Sequence, residues 1–170
     1  MPVLFSALVP PDDVVEAVTG ALGALGEPGD GLRWEPPERW HVTLAYYGAD
    51  DLDTRAAWLA ERLAGRAGAD VRLEKAATFP GVLWLTAAGR ELTPLAHAAG
   101  AGAEARPYVP HLTLARFPRE EPGLAGRWTK ALSGFRSRRW TATRVVLMTS
   151  EREPGGRCYR VARAFELGRA

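Results

Sequence analysis

The chain has 170 residues, 46% hydrophobic and 25% charged, an ordinary balance for a folded domain. A chain of this size hides roughly 70% of its unfolded surface without staples, and a formal charge of +2 with a pI of about 9.0 permits a phosphate-bearing partner without demanding one. The single cysteine, Cys158, excludes a disulfide framework and a cysteine zinc site; residues 1–9 lack a basic leader and are cut short by Pro10-Pro11, so no signal peptide or membrane span is expected, and the reading is a soluble cytoplasmic protein.

Residues 3–9 form an apolar, β-prone run that predicts a buried strand. Pro10-Pro11-Asp12-Asp13 opens a helix with Val14, Val15, Val18, Leu22 and Leu25 as its apolar stripe. A turn-rich loop over residues 26–31 and a short extended piece over 32–34 follow. Pro36-Pro37-Glu38-Arg39 leads into a strand over residues 40–47, ended by Gly48. Asp53 is the expected cap of a second helix carrying Ala57, Leu59, Ala60 and Leu63. Strands over residues 71–78 and 82–86 flank Phe79-Pro80-Gly81, and a third helix covers 91–99. Another strand covers 108–117, with Pro110 marking its start or an edge. After a loop over 118–126, which overlaps a short helix over 124–132, strands over 140–149 and 158–167 surround the turn signal Glu153-Pro154-Gly155-Gly156.

Two of these strands carry the same tetrapeptide pattern, His41-Val42-Thr43-Leu44 and His111-Leu112-Thr113-Leu114, nearly half a chain length apart. Only three histidines are present, and two of them sit in this setting. On a strand, residues i and i+2 share a face, so each imidazole has a threonine hydroxyl beside it. The order strand-helix-motif strand-helix-strand is followed by strand-helix-motif strand-helix-strand, which reads as a duplication. The expected architecture is α+β: one domain, residues 1–170, of two lobes that each contribute a His-x-Thr-Leu strand. Two antiparallel or mixed sheets flank a central cleft, with helices outside.

Two imidazoles that titrate near pH 6.5 can supply an acid and a base to displacement at phosphorus. Threonine hydroxyls can donate to the non-bridging oxygens, where charge builds in the transition state. The catalytic candidates are therefore His41, His111, Thr43 and Thr113, with no metal and no cofactor expected. His97, in an alanine-rich helix with no threonine partner, reads as a surface or packing residue. Phe5, Trp34 and Tyr108 are candidates to stack a terminal base, against a plain role as core or cleft wall. Tyr46 is the weakest such candidate, because its face parity relative to His41 is odd. Arg136, Arg138, Arg139 and Arg144 form a basic run that suits an RNA backbone, although a solvated sheet edge kept soluble by charge is the favoured reading.

His41-Val42-Thr43-Leu44-Ala45-Tyr46-Tyr47-Gly48 and Pro110-His111-Leu112-Thr113-Leu114-Ala115-Arg116 resemble the paired signatures of the two-histidine phosphoesterases. Within that superfamily they are most similar to the RNA 2′,3′-cyclic phosphodiesterases, also called 2′-5′ RNA ligases. Residues 4–8, Arg33-Trp34 before Pro37-Glu38, Val82-Leu83-Trp84-Leu85 and the Tyr159 region add to the likeness. The resemblance implies a bilobal α+β fold with the motif strands lining a central cleft, and hydrolysis of a terminal 2′,3′-cyclic phosphate to a 2′-phosphomonoester. It implies His41 as proton donor to the departing 3′ oxygen, His111 as proton acceptor from water, and Thr43 and Thr113 on the phosphate. It also implies Arg116 as a phosphate contact, although strict alternation puts Arg116 on the face opposite His111 unless the strand bulges, twists or ends.

The implied partners are RNA 3′ ends with 2′,3′-cyclic phosphate, tRNA fragments among them, or nucleotides; no membrane is implied, and the chain is read as a monomer. Whether 2′-5′ RNA ligation also runs is left open. The alternatives keep the site and change the substrate, to a small cyclic nucleotide or an ADP-ribose cyclic phosphate, or keep the fold as a non-catalytic nucleotide-binding module.

Overall fold

The computed structural model describes residues 1–25, 31–102 and 106–168. The loop expected over residues 26–31 therefore lies mostly outside the described residues. Among the described residues, nine strands and four helices follow in the order that the sequence pattern predicts, apart from one break. β1 (Val3–Leu8) is buried along nearly its whole length, as an apolar run on a central strand must be. α1 (Asp12–Ala24) starts after Pro11, with two acidic residues complementing its N-terminal dipole, and buries Val14 and Val18. After β2 (Arg33–Trp34) and a 3-10 turn over Pro37–Arg39 come the first motif strand, β3 (Val42–Ala49), and α2 (Leu52–Leu63). β4 (Ala69–Phe79) and β5 (Val82–Ala88) form a hairpin, followed by α3 (Leu92–Ala98), the second motif strand β6 (His111–Arg116) and α4 (Gly123–Ala131).

Several boundaries differ from the expectations for identifiable reasons. The cap of α2 is Asp51, whose carboxylate accepts from the Thr54 amide at 2.9 Å. Asp53, already inside the first turn, bonds to Arg163 instead. Gly48 does not end β3; at φ 71° it continues the pairing with β1. The strand expected over 140–149 breaks at Thr143 into β7 (Trp140–Ala142) and β8 (Arg144–Glu153), which hydrogen-bond to different neighbours. β9 (Gly156–Glu166) then returns along β8.

All named strand pairs are antiparallel, in the order β7-β4-β5-β6-β3-β1-β8-β9, with β2 added beside β6. The order is alike in the two halves of the chain. The strand after each motif helix crosses over: β4 of the first half pairs with β5 of the second, and β8 of the second pairs with β1 of the first. Since one residue separates β7 from β8 near opposite ends of this order, the sheet has to curl. The Gly68 amide donates to the Gly168 oxygen at 2.7 Å, and a bridge joins Ala67 to Gly168 across the same seam. Gly68 fits this closure because a Cβ there would lie 2.8 Å from the Ala142 oxygen.

The two halves of the sheet meet through one registered pair, Val42 with Leu112. Beyond it the strands part, and β2 takes the place beside β6. That divergence opens the cleft. Val42, Leu44, Leu112 and Leu114 point away from it into the main core and are essentially fully buried, each worth about 1.5–3 kcal/mol. A one-residue slip would bury the imidazoles and expose these four side chains, so the core fixes the register of both motifs. No described helix is long and apolar enough to cross a membrane.

Candidate active site

His41, immediately before β3, and Thr43 on it, with His111 and Thr113 on β6, line one cleft of about 300 Å³. Over six residues the motifs share the same burial sequence: half-buried, buried, half-buried, buried, buried, exposed. The half-buried positions are the histidines and threonines.

The two ring environments match as well. The His41 Nδ1 lies 2.7 Å from the Arg39 carbonyl oxygen, and the His111 Nδ1 lies 2.7 Å from the Val109 carbonyl oxygen. A carbonyl only accepts, so each ring donates from Nδ1, and Nε2 of the neutral ring is left as the free acceptor. Aromatic rings hold both imidazoles in place. Phe5 and Tyr159 lie 5.0 and 5.4 Å from His41; Phe79 and Trp84 lie 5.1 and 5.5 Å from His111. Removal from water by these neighbours lowers the pKa of both histidines below the ordinary value, and this is the largest influence on each. The Glu35 carboxylate opposes the shift at His41, whereas the Arg116 guanidinium reinforces it at both rings.

Arg116 does line the cleft, and the reason is a bulge. Leu83 pairs with Ala115 and Trp84 with Thr113, so Leu114 is an extra residue on β6 and the face parity inverts after it. The first motif has the same bulge: Ser6 pairs with Ala45 and Ala7 with Thr43, leaving Leu44 extra. Tyr46 is therefore the positional counterpart of Arg116 and also lines the cleft, 59% exposed, against the expectation from parity. The repeat held the missing signal, since the two residues stand at the same offset from their histidines.

Phe5 faces the cleft from β1. Trp34 does not line the space between the histidines; its ring meets the Trp128 ring at 4.8 Å and borders an apolar hollow beside Pro36 and Trp40. Tyr108 borders an adjoining hollow that shares Thr43, Tyr46 and His111 with the cleft, and its hydroxyl donates to the Thr43 backbone oxygen at 2.6 Å. Glu35, Arg39, Ser150, Arg157 and Tyr159 complete the cleft wall. Glu35 lies 3.5 Å from Arg116 and 3.8 Å from Arg39, and Arg157 donates to Ser150 at 3.0 Å. Glu35 and Arg39 lie just before the first motif, whereas Ser150, Arg157 and Tyr159 are brought in by the pairing of β1 with β8 and of β8 with β9. Three of the basic-run arginines face carboxylates elsewhere: Arg136 with Glu74, Arg138 with Asp13 and Arg144 with Glu166. His97 is exposed on α3. Among the described residues, no three His, Cys, Asp or Glu side chains converge as metal ligands would.

The fold is similar to that of TT0787 of Thermus thermophilus, at 25% identity and a TM-score of 0.78 over 98% of each chain. It is also similar to E. coli LigT complexed with ATP, at 23% identity and a TM-score of 0.74 over 99% of each chain. E. coli LigT complexed with 3′-AMP gives 23% identity and a TM-score of 0.74 over 98% of each chain. No curated protein sequence matches the chain. The model of one family, the 2′-5′ RNA ligase superfamily, matches residues 10–154. With most of its length matched and both His-x-Thr-Leu strands inside that span, the chain belongs to the 2′-5′ RNA ligase superfamily.

Proposed function

We propose that this protein hydrolyses the terminal 2′,3′-cyclic phosphate of RNA to a 2′-phosphomonoester, with His41 as proton donor and His111 as proton acceptor. The observation that carries the proposal is the matched pair of imidazoles on one cleft, each held at Nδ1 by a backbone carbonyl with a threonine beside it. The nucleotides bound to E. coli LigT, ATP and 3′-AMP, support a nucleotide phosphate as the occupant of such a cleft.

In this reading the cyclic phosphate lies between the rings. Neutral His111 takes a proton from water at Nε2 as the water oxygen bonds to phosphorus. The P–O3′ bond breaks, and protonated His41 gives its Nε2 proton to the departing 3′ oxygen. Thr43, Thr113 and Arg116 donate to the non-bridging oxygens as their charge grows. Proton exchange with solvent then restores the starting states of both rings.

Glu35 favours the charged form of His41, whereas Arg116 favours the neutral form of both rings and a charge on His111 opposes one on His41. Burial alone leaves both rings reluctant to hold a proton, and the negative charge of the bound phosphate offsets that at His41.

The test is incubation of a short RNA ending in 2′,3′-cyclic phosphate with wild type and His41→Ala, in EDTA, with products separated against 2′- and 3′-phosphate standards. Wild type should yield the 2′-phosphate, and His41→Ala should be slower by about 10²–10⁴-fold, the usual share of one general acid. A folded wild type that converts nothing, or that requires added divalent metal, would overturn the proposal. Turnover of small cyclic nucleotides alone would keep the site and change the substrate.

A further inference from the structure

The cleft continues into a wider groove of about 770 Å³ that shares Glu35, Arg39, Arg116, Arg157 and Tyr159 with it. One wall is β2, with Arg33 and Trp34; the other is the β8–β9 turn, with Arg152. Gly156, at φ 120° in the β8–β9 turn, faces the Arg39 guanidinium, and a Cβ there would lie in ordinary contact at 3.7 Å from Nη1.

Five arginines line the groove against two glutamates. Both carboxylates are engaged: Glu35 with Arg39 and Arg116, and Glu153 with Arg160, which does not line the groove. Exposed Arg33 and Arg152 have no carboxylate partner among the described residues. This contrasts with Arg136, Arg138 and Arg144, which are matched by carboxylates elsewhere on the surface. Positive charge is thus left unbalanced along a groove that adjoins the catalytic cleft.

Resting on the proposed reaction, we infer that this groove holds the RNA strand on the 5′ side of the terminal nucleotide. A channel leading away from a phosphate site carries whatever is covalently joined to that phosphate, and on an RNA end this is the preceding chain. Arginine forks match backbone phosphates, while Tyr159 gives the wall an aromatic surface on which an unpaired base packs. Contacts along the groove add to those at the terminal phosphate, so the enzyme prefers an oligonucleotide to a mononucleotide.

The experiment compares 2′,3′-cyclic AMP with a single-stranded ten-nucleotide RNA ending in the same cyclic phosphate, using wild type and the variant Arg33→Glu/Arg152→Glu. Neither side chain lines the catalytic cleft, and both are exposed. The expected result is a drop of at least tenfold in kcat/KM for the oligonucleotide and less than twofold for the mononucleotide. The salt slope for oligonucleotide binding should fall by about 1.4, the share of two phosphate contacts on a single strand. Equal losses on both substrates, or no loss on either, would overturn the inference. A parallel anisotropy titration with a labelled oligonucleotide ending in 2′-phosphate needs no turnover. If wild type hydrolyses neither substrate, the proposed reaction fails, and the titration still decides the groove: weaker binding by the variant upholds it, and unchanged binding overturns it. Arg33→Gln/Arg152→Gln should move every readout in the same direction by less.

Discussion

The motif strands pair only at Val42 and Leu112, so other contacts must hold the width of the cleft. Tyr108 supplies one, through its 2.6 Å hydrogen bond to the backbone oxygen of Thr43. Tyr108→Phe deletes that bond and keeps the ring. The net loss for one hydrogen bond is about 0.5–1.5 kcal/mol, rising toward about 3 if the Thr43 oxygen is left buried without a partner. At about 2–4 °C per kcal/mol for a chain of this size, a 1 kcal/mol loss lowers Tm by about 2–4 °C. Because the same residue presents the Thr43 hydroxyl to the cleft, kcat should fall more than KM rises. Burial pushes the Tyr108 hydroxyl above the ordinary tyrosine range, so it stays a donor at neutral pH. Its contribution is full below about pH 10 and is lost as the pH rises beyond that. Urea unfolding and initial rates on a cyclic phosphate provide the assay. If Tyr108 stacked a base instead, phenylalanine would preserve that role. A variant equal to wild type in both unfolding midpoint and kcat would refute the assignment of Tyr108 as a strut.

The lowered pKa values of His41 and His111 have two consequences. Below about pH 6.5 the unfolded chain binds protons that the folded rings refuse, so these histidines make stability fall as pH drops from 6.5 toward their folded values; denaturant midpoints across pH 5–7 measure it, after subtraction of the same series for a His41→Ala/His111→Ala variant. For the same reason kcat/KM, which reports the free enzyme, should peak below pH 6.5, while kcat should peak higher once bound phosphate favours the imidazolium; an optimum of kcat/KM above pH 7.5 would contradict the burial argument. Arg116→Gln should cut kcat/KM by about 10- to 100-fold, the worth of a charge-assisted hydrogen bond, and should move the pH optimum upward, since Arg116 depresses both rings. Thr43→Val and Thr113→Val should each cost about 10²–10³ in kcat with little change in KM, as the loss of a donor to developing charge does, and product chromatography under saturating substrate checks it.

Much of the site was legible because the period of a strand is short and the motif is written twice. His and Thr at i and i+2 had to share a face, and the repeat had to place two such faces in one fold. Parity failed only where a partner strand overrode it. The bulges at Leu44 and Leu114 are set by how β1 and β5 pair with the motif strands, which no local pattern encodes, and so alternation alone puts Tyr46 and Arg116 on the face opposite the histidines. The break at Thr143 was hidden for a similar reason. Residues 140–149 are uniformly β-prone, and only the curl of the sheet sends Trp140–Ala142 to β4 and the rest to β1. Asp51 and Asp53 are both good caps by type, and only the strand–helix junction decides which carboxylate reaches the Thr54 amide. Trp34 and Tyr108 were legible as aromatics near the motifs, but their orientation depends on Trp128 and on the backbone of β3, both distant in the chain.

The most direct test of the acid–base pair replaces the departing 3′ oxygen of the cyclic phosphate with sulfur, whose thiolate leaves without needing a proton. His41→Ala should recover most of its lost rate on this substrate relative to the oxygen parent, while His111→Ala, lacking the group that deprotonates water, should stay impaired on both. Equal recovery by both variants, recovery by His111→Ala alone, or recovery by neither would contradict the assignment of His41 as acid and His111 as base.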